Sequence, residues 1–291
     1  MARETPAARS GQVTKETQRP ESRIVIGLDT HFMTREALVL AARLAASVDA
    51  RLKGVFVEDE NLLSLCELPF AREISFSGEV RAVDTERMLR ALRAQAETAR
   101  RVLQRIAAEA RVDWSFDVLR GRSLASLAEA ARAEDTLVIR SPHAPAREVG
   151  RAVRAATREG RADVLLVARG VAARGVLGAG AAGPAPAGVA VRPIAAIDDG
   201  SSAGETCSAF AEMLSQRAGV PFVRIHLRER GAAEIAAAAR KAGAGLIVVN
   251  ADWLADDNDA ARLSAAAGCP LLLLGGERTL RLAPEKQTKG V

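Results

Sequence analysis

The stretches RIVIGLD (23–29) and RPIAAIDDGS (192–201) decide the fold, because they are two copies of one pattern. Each is an apolar run that ends in an aspartate, Asp29 or Asp198, and each is followed by an Ala-rich helical segment and a second apolar run. The second runs are LKGVFVED (52–59) and PFVRIHL (221–227). A repeat at this distance indicates two related units in one chain.

Both copies also end in the same way, with a strand, a short helix and a further strand. Strands that are apolar on both faces and alternate with helices are typical of a parallel sheet covered by helices on both sides. We therefore predict an α/β protein with two doubly wound parallel-sheet domains of strand order 3-2-1-4-5. Between its second and penultimate strands the second copy has room for one helix only, so it is predicted to lack the third strand, an edge strand, and its helix.

The first copy is predicted to contain strands at 23–28, 52–57, 114–119, 136–140 and 163–168, and helices at 33–48, 79–111, 123–132 and 145–159. The second copy is predicted to contain strands at 193–197, 221–227, 245–249 and 270–274, and helices at 203–218, 231–243 and 256–267. The predicted organisation is a flexible extension (1–22), a complete domain (23–169), a Gly/Ala/Pro linker (170–191), a reduced domain (192–276) and a flexible tail (277–291).

The composition argues against a nucleic-acid partner. The 291 residues carry 41 Lys and Arg against 36 Asp and Glu, and the net charge of +5 suits a solvated, Arg-rich surface. With no Tyr, two Trp and seven Phe, the chain offers little material on which bases could stack.

The cysteines and the uncharged stretches bear on location. Segment 1–22 has no hydrophobic core of a signal peptide, and the longest uncharged stretch, 175–191, has the composition of a linker. Cys66, Cys207 and Cys269 are odd in number and show neither CxxC nor metal-ligand spacing. We therefore expect a cytoplasmic protein without membrane or metal contact and with inert, buried thiols. Redox sensing by Cys66, in a predicted loop, is the alternative.

The longest predicted helix has an apolar stripe with two interpretations. Its members follow one another at intervals of three and four residues, and they are Leu89, Leu92, Ala96, Ala99, Leu103, Ile106 and Ala110. Such a stripe serves either a partner helix or the helix's own sheet. Three alanines among the seven favour close packing on its own sheet.

Candidate ligand sites are expected where the strand order reverses, beyond the carboxyl ends of the strands. In the first copy this point gathers Asp29 and the segment RSPHAPAR (140–147). In the second copy it gathers Asp198, Asp199 and the segment NADWLADDND (250–259). The acids of the latter segment would repel a polyphosphate, and we interpret them as helix caps and first-turn acids.

The arrangement resembles that of tandem universal stress proteins. The resemblance rests on the aspartate that ends the first strand, the Ala-rich helix, the VFVED end of the second strand and the strand–helix–strand close. The NLLSLCELPFAREI insertion also resembles a segment of tandem bacterial members. The resemblance spans residues 23–170 and, more loosely, 192–275. It implies that the apolar last strands, 163–168 and 270–275, pair the two domains; a homodimer through another surface stays open, as does an unknown protein partner.

In ATP-binding members of that family, the first-strand aspartate and a second-strand valine face the nucleoside, and Asp29 and Val57 match them. The phosphates lie on a glycine-rich loop, whereas this chain has Arg140, Ser141, Pro142 and His143 there. Glycines permit close backbone approach to phosphates, and proline removes a donor. The resemblance therefore implies a regulatory or protective stress-response module with a degenerate nucleotide site and no expected cofactor.

Two alternatives stay open. The first is adenine-nucleotide binding, with ATP in the first-domain cleft against Asp29, Val57, Arg140 and His143. The second is a hydrolase or nucleotidyl-type enzyme of the same superfamily. We expect no enzyme and name no catalytic residue, because the chain shows no GxSxG elbow and no identifiable triad.

Overall fold

The computed structural model describes residues 22–28, 35–74, 77–121, 123–141, 145–168, 177, 191–227, 231–254 and 256–275. The extension, linker and tail predicted at 1–22, 170–191 and 277–291 lie wholly or almost wholly outside the described residues, and their boundaries stay predictions. Asp29 and His143 lie outside them as well.

In chain order the first half contains β1 (Arg23–Leu28), α1 (Arg35–Val48), β2 (Arg51–Asp59), α2 (Glu60–Cys66), β3 (Arg72–Ile74), β4 (Val80–Ala82), α3 (Thr85–Ala110), β5 (Trp114–Gly121), α4 (Ser123–Glu129), β6 (Asp135–Ser141), α5 (Ala146–Arg154) and β7 (Asp163–Ala168). The second half contains β8 (Ile194–Asp198), α6 (Ser202–Ala218), β9 (Phe222–His226), α7 (Ala232–Lys241), β10 (Leu246–Asn250), α8 (Asp259–Ala267) and β11 (Leu271–Leu274). A π-helical turn (Ala155–Glu159) continues α5, and a 3₁₀ turn (Ala251–Trp253) follows β10.

Nine of these strands form one sheet in the order β5-β2-β1-β6-β7-β11-β10-β8-β9. All neighbours are parallel except β7 and β11, which are antiparallel. Counting only the strands of this sheet, the first half has the order 3-2-1-4-5. The described part of the second half, numbered by its counterparts in the first, has the order 2-1-4-5. The α/β fold class and the reduced second copy predicted from the sequence are thereby confirmed.

The two halves meet at β7 and β11, so neither strand is an edge of the sheet. Leu271, Leu272 and Leu273 lie opposite Leu166, Leu165 and Val164. All six side chains are buried. The amide of Gly275 also donates a hydrogen bond of 3.1 Å to the buried carboxylate of Asp163. Full burial of each such aliphatic side chain contributes about 1.5–3 kcal/mol, which ties the halves together.

The helices cover both faces of this sheet. One hydrophobic cluster joins residues of α1, α3 and α6 to the sheet, and a second joins residues of α4, α5, α7 and α8 to its opposite face. Each cluster contains side chains from both halves. The protein is therefore one three-layer sandwich, built from two copies of a unit.

The long helix α3 packs on its own half, as the alanines of its stripe favoured. Leu92, Ala99 and Leu103 are buried, and α3 contacts α1 and β2. Its predicted start at residue 79 is wrong, because β3 and β4 form a hairpin and Asp84 caps the helix by accepting hydrogen bonds from the amides of the first turn. Among the described residues, no helix combines the length and apolarity needed to span a membrane.

Candidate functional site

The strand order reverses at two places along the carboxyl edge of the sheet, between β1 and β6 and between β8 and β10. The first place is only partly described, because Asp29 and His143 are outside the described residues. The second is described except for Ala255. We call them the first cleft and the second cleft.

In the first cleft, Val57 and Arg140 lie on opposite faces of the sheet. Val57 is 2% exposed and belongs to the same hydrophobic cluster as Leu127 of α4. Arg140 is half-buried at the end of β6, one residue beyond Ile139, which belongs to that cluster too. Because neighbouring strand residues point to opposite faces, Arg140 lies on the face of α1. The structure thus places both residues at the carboxyl edge without bringing them to one face.

In the second cleft, two carboxylates fill the N-terminus of α6. Asp198, which is 3% exposed, accepts a hydrogen bond of 2.8 Å from the amide of Gly200. Asp199 accepts one of 3.0 Å from the amide of Ser201 and a second from the Ser201 hydroxyl. Ser201 is the N-cap of α6, and its Oγ accepts a hydrogen bond of 3.2 Å from the amide of Gly204.

Gly204 shows how closely this end of the helix is packed. A Cβ atom at this position would lie 2.8 Å from Oδ1 of Asp198 and 2.7 Å from Oδ1 of Asp199. Three amides of this helix start therefore already have oxygen partners within the chain. Backbone amides at a helix N-terminus are otherwise available to bind an anion.

Trp253 closes the cleft from the other side. Its indole Nε1 donates a hydrogen bond of 3.1 Å to Oδ2 of Asp199. The ring is 7% exposed and belongs to the hydrophobic cluster on the α7 and α8 face. The loop after β10 is thus joined to the loop after β8 through one buried aromatic side chain.

In the acidic segment after β10, side-chain oxygens accept hydrogen bonds from backbone amides of the same segment. Oδ1 of Asn250 accepts a hydrogen bond of 2.7 Å from the amide of Asp252. Asp259 accepts one of 2.9 Å from the amide of Asp256, and Asp256 accepts one of 3.3 Å from the amide of Asn258. Asp259 lies in the first turn of α8, as predicted, but the N-cap is Asn258 and no side chain among the described residues caps this helix, so the predicted capping role is wrong.

The environment of Asp199 keeps this carboxyl ionised. Burial alone would raise the pKa of Asp199, but hydrogen bonds from the Ser201 hydroxyl, the Ser201 amide and the Trp253 indole together outweigh burial and lower the pKa below 3.8. The group therefore carries its negative charge at neutral pH, which is unfavourable for a nucleotide phosphate nearby.

The repeat places His226 where the first half has Val57. In the first half Val57 follows Phe56, which lies opposite Leu28, the last described residue of β1; in the second half Asp198 lies opposite His226. Nδ1 of His226 is 3.8 Å from Oδ2 of Asp198, and the guanidinium of Arg224 is 3.7 Å from it. The apolar surface that would face a nucleoside in the first half is therefore replaced by polar groups in the second.

The sequence did not predict the roles of three residues: Ser201 as N-cap of α6, Trp253 as donor to Asp199, and Gly150, which packs against the backbone of Asp257. The Asp-Asp-Gly-Ser run before α6 carries the capping signal for Ser201, since Ser is a preferred N-cap. Neither Trp253 nor Gly150 has such a signal, because their partners, Asp199 and Asp257, are distant in sequence.

The described residues offer little for redox or metal chemistry. All three cysteines are buried, and burial raises the pKa of Cys207 to about 12 and that of Cys269 to about 11. Thiols with such pKa values are poor nucleophiles at neutral pH. Within the described part of the chain, no three His, Cys, Asp or Glu side chains are grouped as metal ligands would be. Cys66 is buried at the end of α2, so its predicted place in a loop is wrong.

Comparison with solved structures identifies the fold. A universal stress protein from Archaeoglobus fulgidus superposes with a TM-score of 0.54 over 86% of this chain and 96% of that chain, at 9% identity. A functionally unknown protein from Pseudomonas aeruginosa PAO1 gives 0.51 over 88% and 92%, at 14% identity. A universal stress protein in complex with cAMP gives 0.32, over 51% of this chain and 97% of that one at 18% identity, and carries no inference.

No protein-family model matches this sequence, and no curated protein matches it either. At identities this low the structural likeness establishes the fold alone. The chain therefore has the universal stress protein fold, and its activity has to be argued from its own residues.

Proposed function

We propose that this protein is a cytoplasmic, non-enzymatic module of bacterial stress responses, regulatory or protective in action, which does not hold ATP through a phosphate loop. The fold supports the stress-protein part of this proposal. The observation that supports the absence of ATP is that Asp198, Asp199 and Trp253 bond to groups of the chain itself beside the strand-order reversal of the second half.

Among the described residues, ATP in the second cleft would find few unpaired amide donors and would meet the negative charge of Asp198 and Asp199. A phosphate loop after β10 would need free backbone amides, and those of Asp252, Asp256 and Asn258 donate to side-chain oxygens of the chain itself. Displacing Asp199 would break its hydrogen bonds to Ser201 and Trp253, each worth about 1.5–3 kcal/mol when the acceptor is charged. We therefore propose that the second half binds no nucleotide and serves to complete the sheet of the first half.

The nucleotide content of the purified full-length protein tests the proposal. The protein is denatured, and the supernatant is analysed for adenine nucleotides by ion-exchange chromatography. We expect far less than one nucleotide per chain. Stoichiometric ATP would overturn the proposal.

The alternative is adenine-nucleotide binding in the first cleft, through Asp29, Val57, Arg140 and His143. The observation in its favour is that Val57 and Arg140 both lie at the carboxyl edge of the sheet beside the strand-order reversal. The lack of a glycine in residues 142–149, directly after β6, counts against it, since side chains would then have to hold the phosphates.

A thermal-shift series with ATP, ADP and AMP distinguishes the main proposal from nucleotide binding in the first cleft. A ligand at 100 times its Kd stabilises a protein by about 2.7 kcal/mol, so binding would be visible. The main proposal expects no shift. The alternative expects a shift that disappears in Asp29→Ala and persists in Asp252→Ala, a matched change of an exposed aspartate in the second cleft. Turnover of an ester or nucleotide panel that is lost in His143→Ala would instead favour a hydrolase or nucleotidyl-type enzyme.

A further inference from the structure

One side of the first half exposes a concentration of large apolar side chains. Most of the strongly exposed apolar residues of the described chain lie either between β2 and α3 or on β5. They are Leu65, Leu68, Phe70, Ile74, Val80, Val118 and Leu119. We call this set the β5 surface, since α2 contacts β5 and joins the two groups. Apolar side chains concentrated in this way mark interaction sites.

The hairpin part of the β5 surface is one-sided. Ile74 lies opposite Val80 in the β3–β4 ladder, and Phe70 lies in the turn before β3; Phe70 and Ile74 are each 73% exposed. The alternate positions carry Glu73, whose carboxylate pairs with Arg87 of α3 at 3.3 Å. The hairpin face that carries Ile74 and Val80 is exposed to solvent and also carries the exposed Arg72.

The strand part of the surface is an edge with free backbone groups. Among the described strands, β5 has a neighbour on one side only. The amide of Leu52 donates to the carbonyl of Asp113, and Leu52 lies opposite Trp114. In a parallel ladder the backbone N–H and C=O groups of every second residue point to the neighbouring strand. The backbone groups of Phe116, Val118 and Arg120 therefore point away from β2.

The usual protections of an edge strand are weak on β5. It is eight residues long and contains no proline. Its charged side chains are already paired to β2, Asp117 with Lys53 at 2.7 Å and Arg120 with Glu58 at 3.4 Å. Val118 between them is 48% exposed. Long edges with exposed apolar residues tend to pair with another strand.

The opposite edge, β9, differs from β5 in its length and in where its charges lie. It is five residues long and follows Pro221. The amide of Ile194 donates to the carbonyl of Pro221, so the groups of Phe222, Arg224 and His226 point outward. Two-fold pairing along the whole strand would place Arg224 opposite Arg224, and like charges directly opposite are destabilising.

We propose that a second copy of this chain docks on the β5 surface, with the two β5 strands antiparallel across a two-fold axis and the hairpins covering the joint. Such an axis can pass through Val118 or Leu119 without placing like charges opposite each other, whereas an axis at Asp117 or Arg120 would do so. Because β9 is protected, pairing ends with a closed dimer and does not continue into a filament. This proposal is independent of nucleotide binding.

Light scattering coupled to size-exclusion chromatography of the full chain tests the dimer. We expect a mass of twice the 30.7 kDa chain at micromolar concentration. Val118→Glu places two carboxylates near the axis and should weaken dimerisation at least about tenfold. Val191→Glu is the matched control, because Val191 is 45% exposed and lies outside the β5 surface. It should stay dimeric.

A wild-type monomer, or a dimer unaffected by Val118→Glu, would overturn the proposal. If Val118→Glu fails to fold, cysteine cross-linking replaces it. Residues opposite each other in antiparallel strands have Cα atoms about 4.5–5.5 Å apart, within disulfide range. Under mild oxidation Val118→Cys or Leu119→Cys should form a covalent dimer, and which of them does reports the register. Val191→Cys and the wild type should not; failure of both β5 variants would reject strand pairing.

Discussion

Asp199 illustrates at the scale of single residues how the second cleft is closed. Its carboxylate holds the N-cap residue Ser201 on one side and the indole of Trp253 on the other. The sequence placed Asp198 and Asp199 at the reversal of strand order because the aspartate recurs in both copies. The contact with Trp253 could not be predicted, since it spans 54 positions and depends on how β10 lies beside β8.

We expect Asp199→Asn to lower the free energy of unfolding by about 1–2 kcal/mol at neutral pH, because a charged acceptor becomes a neutral one. Hydrogen bonds hold the folded-state pKa of Asp199 below 3.8. Its stabilising contribution is therefore fully present above pH 3.8 and is lost as the pH falls through the lower folded value. Urea unfolding of both proteins between pH 6 and pH 3 should show the difference narrowing toward acid.

Asp252→Asn is the control, since Asp252 is exposed in the same cleft. It should leave stability unchanged within about 0.5 kcal/mol. An Asp199→Asn effect that is equally large at pH 6 and pH 3 would mean that the charge on Asp199 is not what stabilises the cleft.

At the scale of elements, α5 and α8 join the halves on one face of the sheet. Gly150 lies within α5, and a Cβ atom there would be 1.6 Å from the carbonyl oxygen of Asp257. Arg154, one turn further along α5, forms an ion pair with the Asp257 carboxylate. The glycine thus serves close packing between the halves.

Gly150→Ala should destabilise the protein by about 1–3 kcal/mol, because backbone must move to admit the methyl group. Helix propensity alone predicts the opposite sign, a gain of about 1 kcal/mol for alanine. Thermal or urea unfolding of the variant decides between them. Arg147→Ala, an exposed change in the same helix, should be neutral; stabilisation by Gly150→Ala would show that α5 and α8 are not in contact as described.

At the scale of the whole molecule, the halves share one sheet and two hydrophobic clusters. The antiparallel joint of β7 and β11 is buried throughout its paired residues. Arg217 of α6 also donates a hydrogen bond of 3.2 Å to the carbonyl of Ser47 at the end of α1. The covalent connection between the halves is therefore not what holds them together.

A protease site inserted within residues 178–190 should allow cleavage without separation of the halves. We expect both fragments to co-elute from a size-exclusion column without denaturant, because separation would expose the leucines of β7 and β11 to water. The uncleaved protein is the reference. Elution as two independent folded fragments would contradict a shared core.

The fold class, the repeat and the lack of a third strand in the described part of the second half follow from the sequence alone, because apolar runs and helical spacing are local patterns. The sequence also predicted that Asp259 lies in the first turn of α8, although not that Asn258 is the N-cap. The tertiary structure alone decided which helix glycine is compressed, where the β3–β4 hairpin displaces the start of α3, and that Trp253 reaches Asp199. Those features depend on contacts between residues far apart in the chain, and such contacts leave no periodic trace in the sequence.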